Sequence, residues 1–148
     1  DFVACTNREY FPNQELVDYC RKVAEETGGS ITLTEDVAEG CKDADVIYTD
    51  GWVSMGEPDE VWEKRIHDLL PYQVNAKAFS YAKDSAIFMH CLPSFHDFET
   101  TMAQSQKELG YDIREVTDDV FKSRHSKVFD EAENRMHTIK AVIVATIG

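Results

Sequence analysis

Basic residues are scarce in this sequence, which has 15 Lys and Arg against 28 Asp and Glu and a net charge of −13. Nucleic-acid binders need clustered Lys and Arg to neutralise phosphates, so a general nucleic-acid binder is excluded. Long apolar runs are missing as well: no segment approaches the ~20 apolar residues that span a bilayer, and no signal-peptide-like stretch opens the sequence. We therefore expect neither nucleic acid nor membrane among its partners.

Paired cysteines and nucleotide-binding motifs are also absent. The four cysteines lie far apart without a C-x-x-C pair, at Cys5, Cys20, Cys41 and Cys91. This spacing argues against a disulfide framework or a zinc knuckle, and it favours reduced thiols in a cytoplasmic protein. Neither a G-x-G-x-x-G sequence nor a P-loop occurs, so the sequence predicts no nucleotide cofactor and no metal.

Hydrophobic residues make up 43% of the 148 positions, which is too many for a disordered acidic chain and suits a single domain over residues 1–148. Short β-rich runs alternate with helical patterns, an order typical of an α/β fold with a mostly parallel sheet flanked by helices. Strands are predicted at 2–6, Ile31–Thr34, Val46–Thr49, 86–90 and 113–116. Helices are predicted at 13–27, Val37–Cys41, 59–70, 74–82, 99–109 and at the C-terminal end.

Both ends of the sequence are unusually apolar. An apolar run occupies residues 2–5, and residues 139–147 (IKAVIVATI) are almost wholly apolar after a strongly helical segment. A helix that is apolar on nearly every side is normally buried on nearly every side. We therefore expect a second domain or a partner subunit to cover this helix, and the chain to be part of a larger protein.

The loop at residues 50–57 (DGWVSMGE) follows a predicted strand directly. In open parallel sheets, ligands bind beyond the carboxyl ends of the strands. The Asp50 carboxylate could hold an ammonium group while the Ser54 hydroxyl donates to a carboxylate, a combination that suits a zwitterion. Alternatively, Asp50 only caps the turn and the two glycines, Gly51 and Gly56, only shape the loop.

A second loop, residues 90–97 (HCLPSFHD), also follows a predicted strand. Cys91 next to His90 could have a lowered thiol pKa and act as a base, nucleophile or hydrogen-bond acceptor. Alternatively, Cys91 is a small buried residue beside a histidine with satisfied hydrogen bonds. A metal site formed by His90, Cys91, His96 and Asp97 is less favoured, because their spacing matches no standard ligand set.

Arg135 is the third candidate, near the start of the terminal helix. Its guanidinium could bind an anion with two hydrogen bonds. It could equally pair with Glu131 one helical turn earlier, an interaction worth only a few tenths of a kcal/mol.

Together, three motifs resemble the ornithine carbamoyltransferase family. They are residues 50–57 (DGWVSMGE), 89–97 (MHCLPSFHD) and 128–145 (VFDEAENRMHTIKAVIVA), and residues 45–49 and 71–75 fit as well. The resemblance covers nearly the whole chain. It implies the Rossmann-like second domain of that family, which binds L-ornithine, here truncated at the N-terminus and without the carbamoyl-phosphate domain.

The resemblance also implies a reaction and a set of site residues. In that family, carbamoyl phosphate and ornithine give citrulline and phosphate without a cofactor, in a trimer. The positions that match ornithine-binding residues are Asp50, Ser54 and Met55, and those that match residues contacting carbamoyl phosphate are Cys91, Leu92 and Arg135. Cys91 also matches the proton acceptor beside the attacking amine, with His90 and Asp50 expected to tune it.

Some family features are missing from this sequence. The serine-containing phosphate loop with Arg-Thr, the His-Pro-x-x-Gln segment and an Asn-rich ornithine-binding turn do not occur. Gly51 stands where the family more often has Val or Thr, and Ser94 stands where it more often has Ala. We therefore expect the 148-residue chain alone to be inactive.

Three other interpretations remain open. A sister carbamoyltransferase could act on another amino acid or a diamine. A Cys–His hydrolase would need a third orienting group and an oxyanion hole, and neither can be assigned from the sequence. A non-catalytic binding module would use the terminal helix as its interface.

Overall fold

The computed structural model describes residues 1–53, 57 and 60–147. The strands of this part are β1 (Phe2–Cys5), β2 (Ile31–Thr34), β3 (Val46–Thr49) and β4 (Ile87–His90). Its helices are α1 (Gln14–Thr27), α2 (Val37–Cys41), α3 (Glu60–Leu69), α4 (Ala76–Phe79), α5 (Thr101–Glu108), α6 (Asp118–Phe121) and α7 (Val128–Ile147). Strands and helices alternate and the strands pair in parallel, so the predicted α/β class is confirmed.

The strands form two separate parallel pairs. Phe2 of β1 lies opposite Ile31 of β2, and Val46 of β3 lies opposite Ile87 of β4. A cavity of about 830 Å³ is lined by β1 on one side and by Val46 and Tyr48 of β3 on the other. We call this cavity the strand gap. Within the described chain, the edges of β1 and β3 that do not face β2 and β4 pair with no strand.

Local sequence signals explain where α1 begins and ends. The Asn13 side chain accepts a hydrogen bond of 2.8 Å from the Glu15 N–H, which satisfies one of the free donors of the first turn. Gly28 ends the helix in the left-handed conformation, with φ at +81°, which costs glycine little. The predicted helix at residues 13–27 is therefore confirmed almost exactly.

The main core packs the second strand pair against the helices that follow it. Phe88 of β4 has no exposed surface and Ile47 of β3 is nearly as deeply buried. They pack with Val74, Val116, Val120, Phe121 and Val128. A smaller cluster contains Ile66, Ala103 and Ile113. The core therefore contains residues of both β3 and β4 and packs this strand pair against the segments that follow it.

Two predicted elements were wrong in type or length. Residues 113–116 form no strand, because only Val116 makes a bridge, to Val74. Their apolar side chains are buried in two different clusters, so the segment has the composition of a strand without a strand partner. The helix predicted at 74–82 is only α4, since Asn75 caps it and Val74 belongs to the bridge.

The apolar terminal helix, α7, lies largely exposed on this chain. Only its first residue, Val128, is buried. The exposed apolar side chains along it are Phe129, Met136, Ile139, Val142, Ile143, Val144 and Ile147. None of the helices in the described residues is long and apolar enough to cross a membrane. The predicted cover for α7 stays a prediction.

Candidate active site

The two candidate loops meet because β3 and β4 end together. Thr49 lies opposite His90 in the parallel register, so Asp50 and Cys91 follow as neighbours at the carboxyl ends of the two strands. The Cys91 thiol donates a hydrogen bond of 3.0 Å to the Asp50 carboxylate. Sheet register has therefore brought into contact two side chains that lie 41 positions apart in the sequence.

The Cys91 thiol is held in its protonated form. The hydrogen bond to the Asp50 carboxylate, with some burial, raises its pKa above the ordinary value, since a nearby anion disfavours a thiolate. The expected lowered pKa was therefore wrong, because Cys91 interacts with an anion and not with a protonated histidine. Asp50 responds in the opposite direction: the Cys91 thiol and the Gly51 N–H lower its pKa, so it stays anionic.

His90 braces the turn that carries Cys91. Its side chain is fully buried, and its Nδ1 accepts a hydrogen bond of 3.0 Å from the Leu92 N–H. Burial lowers the pKa of the imidazole, so the ring is neutral and its proton is on Nε2. Leu92 adopts a φ of +51°, and the Leu92–Pro93 peptide is cis. His90 therefore acts on the shape of the turn and makes no hydrogen bond to the thiol.

Glu131 of α7 ties the terminal helix to both strands. One carboxylate oxygen accepts from the Tyr48 hydroxyl and the other from the His90 N–H, each at 3.1 Å. The sequence suggested Glu131 only as a partner for Arg135. Its carboxylate is occupied by the two strands instead, so that intrahelical pair does not form.

Arg135 lies one turn beyond Glu131 and is exposed. Among the described residues, its guanidinium makes neither a hydrogen bond nor an ion pair, and the structure does not bring it into contact with Cys91. Two other predicted site residues, Ser54 and Met55, fall outside the described part of the chain. Leu92 packs partly buried against the main core.

Glu115 is a site neighbour that sequence analysis missed. Its side chain is only 3% exposed. Its carboxylate accepts 2.7 Å and 3.4 Å hydrogen bonds from the Phe95 N–H and the Ser94 hydroxyl of the Cys91 loop. Burial raises its pKa to about 7. In the sequence, Glu115 was only one of two adjacent charged residues, with Arg114, in the segment 113–116 that was predicted as a strand.

A cavity of about 390 Å³ opens beside Asp50. Its described lining carries one carboxylate, Asp50, and one guanidinium, that of Arg65. The Arg65 side chain also holds the first loop, since it donates to the Trp52 carbonyl at 2.9 Å and to Glu57 at 3.0 Å. The Arg65 charge is therefore balanced by Glu57, and Asp50 is the carboxylate that lines this cavity.

Three residues that could bind a metal ion lie close together. His96, Asp97 and Asp118 offer ligand atoms within 4.8 Å of one another. However, His96 Nδ1 lies 2.8 Å from Asp118, which also pairs with Lys122 at 3.0 Å. The His96 ring stacks on Phe121. These contacts account for the cluster as a structural one.

The Tyr48–Glu131 hydrogen bond can be tested directly. We expect Tyr48→Phe to lower the free energy of unfolding by about 1 kcal/mol, because a bond to a charged acceptor is lost at a half-exposed site. Urea denaturation of the chain measures this. Tyr19→Phe is the matched control, since the exposed Tyr19 hydroxyl bonds to nothing in the described residues. Equal stability of both variants would contradict the assignment.

Residues 1–146 match the family described as aspartate/ornithine carbamoyltransferase, Asp/Orn binding domain. A relative from Treponema denticola, named ornithine carbamoyltransferase, catabolic, is 59% identical over 147 residues, covering 99% of this chain and 44% of the relative. One from Staphylococcus aureus strain Newman, named ornithine carbamoyltransferase, is 55% identical over 95% of this chain and 43% of its own length.

Solved structures agree with these sequence relatives. The ornithine carbamoyltransferase from Pyrococcus furiosus superimposes with a TM-score of 0.78 at 40% identity. The match covers 97% of this chain and 40% of that one. The chain thus spans less than half the length of the proteins it matches.

Proposed function

Because the chain belongs to the aspartate/ornithine carbamoyltransferase family, whose Asp/Orn-binding domain matches residues 1–146, we propose that it binds L-ornithine within an ornithine carbamoyltransferase. The whole protein would transfer the carbamoyl group of carbamoyl phosphate to the side-chain amine of ornithine. The observation that carries this proposal is the Cys91–Asp50 contact at the ends of two parallel strands. Such a contact offers a carboxylate for an ammonium group and a sulfur for an amine.

The chemistry requires a neutral amine. A side-chain amine with a pKa near ~10.4 is mostly protonated at neutral pH, so the site must capture or create the free base. Asp50 attracts the ammonium group. The thiol proton of Cys91 already points at Asp50, so a sulfur lone pair would accept from the amine, with the Tyr48 hydroxyl as a second neighbour of the sulfur. One proton of the ammonium group passes to sulfur while the thiol proton moves to the Asp50 carboxylate, and this leaves a neutral amine.

Carbamoyl transfer then proceeds by attack of the neutral amine. A bond forms between the amine nitrogen and the carbamoyl carbon, and the carbon–oxygen bond to phosphate breaks. Phosphate leaves with that electron pair and takes up the proton that the nitrogen loses as it becomes an amide. Arg135, whose guanidinium is unengaged by the described residues, would stabilise charge on the carbamoyl and phosphate oxygens. By resemblance, Ser54 and Met55 would contact ornithine and Leu92 the carbamoyl group.

The rest of the protein would supply the missing parts. Since the chain covers 44% of its relative from Treponema denticola, we assign it to an incomplete ornithine-binding domain and place the carbamoyl-phosphate domain elsewhere in the protein. The resemblance implies a cytoplasmic, cofactor-free trimer with this Rossmann-like domain. The exposed apolar side chains of α7 are consistent with a surface that the remaining protein covers.

Other candidate functions receive less support. A Cys–His hydrolase needs a histidine that activates the thiol, yet the Cys91 thiol donates to Asp50 and His90 Nδ1 accepts from Leu92. A sister carbamoyltransferase for another amine would share the strand-end geometry, so substrate choice must be measured.

The full-length protein should form citrulline and phosphate in equal amounts from carbamoyl phosphate and ornithine. Putrescine and aspartate serve as competing amine substrates in the same assay. Higher kcat/KM for either one would identify a sister enzyme. No transfer to any amine would favour a non-catalytic module. The 148-residue chain, assayed alongside, should be inactive.

A further inference from the structure

Glu115 touches both loops of the candidate site. On the Cys91 side, one carboxylate oxygen accepts from the Phe95 N–H at 2.7 Å and from the Ser94 hydroxyl at 3.4 Å. On the Asp50 side, the Trp52 N–H is a further hydrogen-bond donor to this carboxyl. The other oxygen lies 3.9 Å from the place that a Cβ on Gly51 would occupy. The carboxyl group thus sits between the two turns.

The backbone of Glu115 is fixed independently of its side chain. Its N–H donates to the Phe95 carbonyl at 3.1 Å, and its carbonyl accepts from the Val74 N–H at 2.9 Å. The neighbouring Val116 bridges to Val74 in the buried core. The carboxyl group is therefore held from a rigid base, and it can anchor the turns on either side.

A carboxyl group suits this place better than an amide. Burying a charged group costs free energy unless several donors satisfy it. Glu115 has two acceptor oxygens for two sets of donors, whereas glutamine has only one acceptor oxygen. His90 is a titratable neighbour: its Nε2 lies 3.9 Å from the carboxylate and is buried without a hydrogen-bond partner among the described residues.

We propose that Glu115 is a positioning residue that sets the separation of Asp50 and Cys91 by anchoring both of their turns to one buried carboxyl group. Its importance for catalysis rests on the proposed function, while the anchoring itself does not. Loss of the anchor lets the turns move apart and weakens the thiol–carboxylate hydrogen bond. That bond is the largest cause of the raised Cys91 pKa, so the thiol becomes more acidic.

Alkylation of Cys91 by iodoacetamide in the full-length protein, followed by peptide mass spectrometry across pH, tests this proposal. We expect Glu115→Gln to speed alkylation of Cys91 about 3–10-fold near neutral pH, because a lower thiol pKa leaves more of the reactive thiolate. Asp50→Asn should give a similar increase. Glu115→Asp, which keeps both oxygens but reaches less far, is the second variant. Glu108→Gln, on the exposed end of α5, is the matched control.

The double variant separates anchoring from general loosening. If Glu115 acts through the Cys91–Asp50 bond, Glu115→Gln should add nothing in an Asp50→Asn background. An unchanged Cys91 profile in folded Glu115→Gln and Glu115→Asp proteins would overturn the proposal, as would full additivity. In the citrulline assay we expect Glu115→Gln to lower kcat more than it alters KM. If Glu115→Gln adds nothing to alkylation in the Asp50→Asn background but no carbamoyl transfer is detected, the anchoring role of Glu115 is upheld and the proposed function is wrong.

Discussion

Asp50→Asn in the full-length protein is expected to lower kcat/KM for ornithine by about 10²–10⁴-fold, the usual contribution of a positioned proton acceptor. The amide keeps the size of the side chain, but it neither attracts an ammonium group nor takes the thiol proton. Initial rates of citrulline formation at saturating carbamoyl phosphate measure the loss. Asp45→Asn is the matched control, because Asp45 precedes β3 and pairs with Lys83 at its other end. A loss below threefold would remove Asp50 from the mechanism.

The same assay tests whether Asp50 and Cys91 act as one unit. Cys91→Ser keeps a hydroxyl donor but replaces sulfur by a less polarisable acceptor, so we expect a smaller loss than for Asp50→Asn. The double variant should be no slower than Asp50→Asn alone, since residues acting in one step give strongly non-additive effects. If the double variant lost activity by the product of the two single losses, the two side chains would act separately, and the proposed proton transfer through sulfur would be wrong.

The free energy of unfolding of the chain should change by about 3 kcal/mol with pH because of Glu115. Its pKa is about 7 when folded and 4.5 ordinarily. Between these values the unfolded chain has released this proton and the folded chain has kept it, so stability falls as pH rises from about 4.5 to 7. Each pKa unit corresponds to about 1.36 kcal/mol, and above the folded pKa the effect is constant.

Comparison with Glu115→Gln isolates this effect. The free energies of unfolding of the two proteins should diverge by about 3 kcal/mol across that pH range, in favour of the variant at higher pH. Urea denaturation at a series of pH values measures the difference. His90, whose lowered pKa gives the opposite trend as pH falls through its ordinary value, is present in both proteins. Parallel stability profiles would show that Glu115 titrates normally.

Local patterns predicted the elements but not their contacts. β2 and β3 have the predicted bounds because each is a short apolar or β-branched run with turn residues on either side. Residues 113–116 (IREV) have β-branched residues at both ends, yet Ile113 and Val116 are buried in separate clusters and no strand of the described chain lies beside the segment. Composition reports burial, and only the arrangement of neighbouring strands decides whether a buried run is hydrogen-bonded.

The site was predictable residue by residue but not as a network. Asp50 and Cys91 were found because each follows a strand, where ligands bind in parallel sheets. The predicted lowering of the Cys91 pKa was wrong, because it was inferred from His90, the neighbour in sequence. In the structure the thiol contacts Asp50 instead. Glu115 was missed, and Glu131 was considered only as a partner for Arg135, because their actual partners lie in other elements and no local pattern encodes such contacts.

The strand gap has a consequence for self-association. Unpaired strand edges are templates for adding strands from other molecules, the first step towards amyloid-like stacking. Here the edges of β1 and β3 are each only four residues long. Charged residues also line the cavity, namely Asp1, Lys42, Asp43, Asp45 and Lys83. Natural sheets oppose edge-to-edge association with short edge strands and with charged side chains close to them. Both features occur at the strand gap, so they should limit the addition of strands from other molecules.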